Sequence, residues 1–296
     1  MTAPRPGSTD VDASMQTIRC LDDLRAAVAA LRADGGTIAL VPTMGALHEG
    51  HMTLVREARR HADHVVASIF VNPAQFGPNE DLDAYPRREA ADAAMLAAEG
   101  VAALWAPGVA TMYPDGHATR IQVSGISDSL CGAARPGHFD GVATVVAKLF
   151  MQVAPDVALF GEKDWQQLAV IRRMARDLDF ALRIVGVPTV REDDGLALSS
   201  RNAYLSAAER AAATALPRGL ARARQAIVEG GDVGGAIETA RQAMLAAGFA
   251  SIDYLELRDD GSLALLDMAA PGARLFVAAR IGSTRLIDNL SVIPAG

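Results

Sequence analysis

Cysteine is nearly absent from this chain of 296 residues: only Cys20 and Cys131 occur. Two cysteines make no disulfide framework, and these two lack metal-ligand spacing. They fit a reduced cytoplasmic interior. Aromatic residues are scarce, at 5 %, and alanine is plentiful, which favours helices packed on a sheet over an all-β sandwich. Positive charge is in deficit, with 28 Lys and Arg against 35 Asp and Glu and a net charge of −7. Nucleic-acid affinity comes mostly from cationic side chains on phosphates, so no nucleic-acid partner is expected, although a local anion site remains open. No apolar run approaches the ~18 residues of a membrane span. The opening MTAPRPGSTD lacks the basic start and apolar stretch of a secretory signal. Apolar residues, by contrast, make up 50 % of the chain. That excludes general disorder and supplies a sizeable core, and the length is a prior for about two domains.

Residues 1–16 read as a disordered tail rich in Pro, Gly, Ser and Thr. From there to 189, helical and strand patterns alternate. Helices are expected over 20–33, 52–62, 88–98, 141–153 and 166–177. Short apolar strands are expected over 37–41, 65–71, 101–105, 157–160 and 183–187. Repeated strand–helix–strand units imply an α/β fold: a Rossmann-like, doubly wound parallel sheet over 17–189. Such sheets bind ligands beyond the carboxyl ends of their strands. The pattern changes over 190–296 to helices at 207–229 and 235–247, then strands at 251–258, 274–281 and 285–290, the last two joined by a Gly282-containing hairpin. This part reads as a smaller C-terminal α+β lid domain.

The segment PTMGALHEGH (42–51) lies between a strand and a helix, the phosphate-binding corner of such a sheet. Gly45 and Gly50 let the backbone approach a ligand, and the helix N-terminus offers free N–H donors. His48 and His51, three apart, share one side of a helical turn and can hydrogen-bond to phosphate. The competing reading is a capping or buried polar pair. A zinc protease requires two histidines four apart, which this segment lacks. Neither G-x-x-x-x-G-K-[ST] nor G-x-G-x-x-G occurs, which disfavours P-loop enzymes and nicotinamide dehydrogenases.

The histidine turn resembles the H-x-G-H signature of nucleotidyltransferases. Together with IFVNPAQF (69–76), RPGHFDGVATVV (135–146), FGEKDWQQL (160–168) and VPTVREDDGLALSSRN (187–202), PTMGALHEGH resembles the pantoate–β-alanine ligase family over nearly the whole chain after the tail. The resemblance implies a cytoplasmic homodimer that condenses pantoate and β-alanine at the expense of ATP, by way of pantoyl adenylate. It implies that His51, His48 and Lys163 are catalytic. It implies that ATP is held by Met44, Gly45, Ala46, Leu47, His48, Glu49, Gly50 and His51, by Gly161, Glu162, Lys163 and Asp164, and by Val190, Leu198, Ser199, Ser200 and Arg201. Asp164 is open to two roles, capping the next helix or holding the nucleotide sugar. Gln75 and Gln167 are implied as pantoate ligands, with Asn72 shaping the same pocket. Arg135 is open between orienting an anion and a structural ion pair. Mg²⁺ is expected with ATP, mostly on phosphate oxygens and water. Asp92 is its best protein candidate, although Ala91 stands where relatives often carry a second acid. The nearest competitor is a nucleotidyltransferase that stops at adenylation. A non-catalytic nucleotide-binding protein is a further alternative.

Overall fold

The structure is a computed structural model that describes residues 15–78, 80 and 82–293. In chain order the elements are β1 (Gln16–Ile18), α1 (Leu21–Leu31), β2 (Ile38–Thr43), α2 (Glu49–Ala58), β3 (His64–Ile69), α3 (Glu89–Ala98), β4 (Ala103–Trp105), α4 (Val109–Met112), α5 (Cys131–Ala134), α6 (His138–Val153), β5 (Val157–Gly161), α7 (Trp165–Asp177), β6 (Arg183–Val187), α8 (Ala207–Ala213), α9 (Ala215–Val228), α10 (Val233–Ala246), β7 (Ser251–Asp259), β8 (Ala273–Ile281) and β9 (Thr284–Ser291).

Six strands form a parallel sheet in the order β1-β4-β3-β2-β5-β6. Its inner strands are buried on both faces, so they read as continuous apolar runs. Along β2, Ile38 and Leu40 join the core under α1, α6 and α7, while Ala39 and Val41 join the core under α2. From β2 the chain steps outward through β3 to β4, then returns to β2's other flank to form β5 and β6. The strand order therefore reverses between β2 and β5, which is where doubly wound sheets open a ligand crevice.

Most expected strands recur within a residue or two. Two expectations change. Of the tail expected over 1–16, residues 1–14 lie outside the described residues, and Gln16 belongs to β1, paired with Ala103. The helix expected over 207–229 is two helices that break at Thr214. Pro217 cannot donate to the carbonyl of Ala213, so the chain restarts its hydrogen bonding and Pro217 falls in the first turn of α9, where a missing N–H costs least.

Strands β7-β8-β9 form an antiparallel sheet in that order. One face, with Leu275, Val277 and Ala279, packs on α9 and α10. The other face, with Tyr254, Phe276 and Ala278, is continuous with the core of the parallel sheet.

Candidate active site

A cleft opens at the strand-order reversal. Its walls are the end of β2 and the start of α2, the turn after β5, the segment after β6, and one face of α6. Met44, Gly50, Gly161, Lys163, Asp164, Gln167, Val190, Leu198, Ser199, Ser200 and Arg201 line it together with His48 and His51. The five distant sequence motifs therefore meet in one place.

The two histidines are held by a reciprocal cap. His48 is the N-cap of α2, and its Nδ1 accepts from Gly50 N–H at 3.2 Å. His51 Nδ1 accepts from His48 N–H at 3.2 Å. The capping and the functional readings are thus both realised. Because each Nδ1 is an acceptor, each neutral ring carries its proton on Nε2. The ring centroids are 4.1 Å apart. Burial, then the His48 ring, pushes the pKa of His51 down to about 3. Burial, then the Lys163 ammonium, lowers that of His48. At neutral pH both are uncharged N–H donors.

The loop ahead of α2 carries Gly45 at φ +85° and Ala46 at φ +52°, the latter a rare conformation for a residue with a side chain. Asp92 of α3 holds it. Asp92 is 2 % exposed, and its two carboxylate oxygens accept from Ala46 N–H at 2.8 Å and Leu47 N–H at 2.9 Å. Both oxygens are thus engaged by backbone, and the residue does not line the cleft. Among the described residues no group of three or more His, Cys, Asp or Glu is arranged to hold a metal. Gly45, Ala46, Leu47, Glu49 and Glu162 also lie outside the lining. Ala46 and Leu47 shape the loop through their amides, whereas Glu49 pairs with Arg56 on the surface.

Asn72 and Gln75 sit on a 3₁₀ turn, Pro73–Gln75, after β3. Asn72 Nδ2 donates to Gln75 Oε1 at 3.0 Å and to Gly141 O at 3.1 Å, while its Oδ1 accepts from Ala74 N–H and Tyr113 OH. Asn72 is therefore a fully engaged support, and it fixes the Gln75 amide with its nitrogen near Met44 Sδ, 3.0 Å away. From behind, His138 Nδ1 lies 2.8 Å from the Gln75 carbonyl oxygen and donates to it. Arg135 forks onto Glu80 and approaches His138 Nε2 at 3.0 Å, so the structural ion pair is realised. Of the two adjacent glutamines on α7, Gln166 is consumed by Cys131 N–H, Ile126 O and Ser129 O. Gln167 faces the cleft, and its amide has no hydrogen-bond partner among the described residues.

Asp164 precedes α7 without making a side-chain cap, so of its two expected roles the capping one is not realised. Val190 and Leu198 are zipped across a small hairpin by Leu198 N–H to Val190 O at 2.9 Å, and the Arg191–Ala197 bridge continues it. Ser199 Oγ accepts from Arg201 N–H at 3.2 Å and starts the 3₁₀ turn that carries Ser200 and Arg201. Not anticipated from the sequence is an apolar wall of Val142, Val145, Val146 and Leu149 on α6, with Phe70 beside it. These residues had a visible signal in the apolar run of α6, but the run alone does not distinguish cleft from core.

Comparison with known proteins shows the family. Residues 16–291 match the model of the family described as pantoate-beta-alanine ligase. A pantothenate synthetase of Novosphingobium aromaticivorans is 67 % identical over 95 % of this chain and 100 % of that protein. A crystal structure of pantothenate synthetase from Thermus thermophilus superposes with a TM-score of 0.90 at 51 % identity, covering 95 % of this chain and 100 % of that one. The pantoate-beta-alanine ligase of Francisella tularensis, solved with beta-gamma ATP and beta-alanine, gives 0.79 at 33 % identity, covering 94 % and 98 %. The chain belongs to the pantoate–β-alanine ligase family.

Proposed function

We propose that this cleft joins pantoate to β-alanine at the expense of ATP, with the residue roles that follow. The pantoate carboxylate attacks the α-phosphorus, pyrophosphate leaves, and the amine of β-alanine then displaces AMP from the acyl adenylate. These two steps need no covalent nucleophile from the chain, so its contribution is positioning and charge stabilisation. The observation that carries the reading is the paired neutral imidazoles beside Lys163. Their Nε2–H groups donate to phosphate oxygens as charge builds in the transition state, and Lys163 adds a full positive charge. With a pKa near 3, His51 acts as a hydrogen-bond donor that keeps its proton. Ser199, Ser200 and Arg201 face the same space from the opposite side and suit a departing pyrophosphate.

Gln75 and Gln167 offer amides to the hydroxyls and carboxylate of pantoate, and Gln75 also reaches β-alanine. The wall of Val142, Val145, Val146 and Leu149 takes pantoate's branched hydrocarbon. Mg²⁺ enters as part of the ATP substrate, ligated by phosphate oxygens and water. No residue of the chain is assigned to it. The chain is read as two units, 17–189 and 190–296, working as a cytoplasmic homodimer. The family resemblance and the two unpaired cysteines support this, and among the described residues no helix is long and apolar enough to cross a membrane.

The test is amide formation from ATP, Mg²⁺, pantoate and β-alanine, with each omitted in turn. AMP release that depends on β-alanine is expected, and release without that dependence defeats the ligase reading. In Gln167→Ala the KM for pantoate is expected to rise ~10-fold or more, as for a lost hydrogen bond to a charged group, with the KM for ATP unchanged. Unaltered pantoate kinetics defeat that assignment.

A further inference from the structure

The turn that carries Lys163 has no anchor of its own. It is a 3₁₀ turn, Glu162–Asp164, whose N-cap Gly161 makes no side-chain cap, and Asp164, the N-cap of the following helix α7, makes none either. The carbonyls of Glu162 and Lys163 are instead held from the other sheet. Asn289 of β9 is 4 % exposed, and its Nδ2 donates to Glu162 O at 2.8 Å and to Lys163 O at 2.9 Å. Its Oδ1 accepts from Arg274 Nη1 at 2.6 Å. Arg274 is itself fixed, with its guanidinium carbon 3.4 Å from the centre of the Trp165 ring, the first residue of α7. The orientation of the Asn289 amide is therefore determined: one side must accept from a cation and the other must donate twice.

The neighbouring residue grips the opposite wall. Asp288 has a fully buried side chain, and it takes Arg191 in a fork at 2.7 and 2.9 Å. Arg191 directly follows Val190, a lining residue of the cleft. Adjacent strand residues point to opposite faces, so this dipeptide reaches two different segments from one backbone position. Neither Asp288 nor Asn289 lines the cleft.

We infer that Asn289 is a positioning residue for the ligase reaction: by clamping the carbonyls of Glu162 and Lys163 it aims the Lys163 ammonium at the triphosphate, while Asp288 fixes the facing strand through Arg191. The inference rests on the role proposed above for Lys163. Without the clamp the two carbonyls are free to rotate, and the ammonium at the end of a four-carbon stem moves with them. Displacements of about 1 Å in a reacting constellation cost on the order of 10²-fold in rate.

The test is pantoate-dependent exchange of pyrophosphate into ATP in four proteins: wild type, Asn289→Asp, Lys163→Ala and the double variant. Asn289→Asp keeps the shape and the Arg274 contact and removes both donors. Alone it is expected to lower the exchange rate ~10-fold or more, mainly in kcat, with the KM for pantoate little changed. In the Lys163→Ala background it is expected to add less than ~2-fold, because residues that act as one unit are not additive. An equal loss in both backgrounds, or none in either, overturns the inference. Wild-type exchange in Lys163→Ala instead defeats the role of the lysine itself, and the inference with it. If Asn289→Asp does not fold, Asn289→Ser retains one donor and is expected to show a smaller loss with the same dependence on Lys163.

Discussion

Asp92 shows how one buried side chain sets a binding loop. A polar group at 2 % exposure is expensive unless hydrogen-bonded, and the two amides of Ala46 and Leu47 satisfy it. The same bonds hold Ala46 at positive φ, so the path into His48 depends on them. Asp92→Asn leaves one acceptor and turns an amide group toward a backbone N–H. It is expected to cost about 1.5–3 kcal/mol of stability and to raise the KM for ATP. Titration with Mg²⁺ separates this role from metal binding: excess Mg²⁺ restores a metal-ligand variant and leaves a loop-anchor variant impaired, so recovery by Mg²⁺ would return Asp92 to the metal. The lining residues of the site were largely legible in the sequence, because each sits in a short motif at a strand end. Asp92 was singled out as a metal candidate but not for its hold on the loop, and Asn289 not at all, because their partners lie 45 to 127 positions away, which no local pattern records.

Helix α6 and the turn at Pro73–Gln75 meet more closely than a side chain allows. A Cβ on Gly141 would lie 2.3 Å from Ala74 O and 2.7 Å from Gln75 N. Gly141→Ala gains helix propensity of about 1 kcal/mol, yet it forces the turn away and overpacks the contact by about 1–3 kcal/mol. The turn carries Gln75, so the expected result is a ~10-fold or greater loss in kcat/KM for pantoate with the KM for ATP nearly unchanged. Kinetics equal to wild type would show that the contact relaxes without moving Gln75. The helices and inner strands were visible from apolar periodicity and glycine punctuation. Strand β1 was not, since three residues carry no period and its pairing with β4 joins positions 87 apart. The break at Thr214 was missed because the alanine-rich pattern runs through it and only Pro217 marks the restart.

The whole molecule shares its core between the two sheets. Tyr254, Phe276 and Ala278 belong to the same buried cluster as Leu40, Phe160 and Leu168, and Asn289 bridges the sheets with hydrogen bonds. The cleft lies beside that junction, and the buried histidines in and behind it tie global stability to pH. Burial, then the His48 ring, holds His51 down near 3, and burial, then the Arg135 guanidinium, holds His138 down to about 4, both from an ordinary 6.5. Above pH 6.5 both are neutral in folded and unfolded chains and have no effect. Below it the unfolded chain takes up protons that the folded one refuses, so stability falls by up to about 1.4 kcal/mol per pH unit for each group until the folded values are reached. The carboxylates held below their usual range, such as Asp156 and Asp259, weaken the fold only at lower pH, below about 4. Between about pH 6.5 and 4.5 the histidines therefore dominate. Thermal unfolding is expected to occur at a lower Tm at about pH 5 than at about pH 7.5, by several degrees. His138→Gln removes one of the three histidines held below their ordinary value and is expected to flatten that dependence, whatever it does to Tm at neutral pH. An unchanged slope in this variant would mean that protons reach the folded ring as readily as the unfolded one.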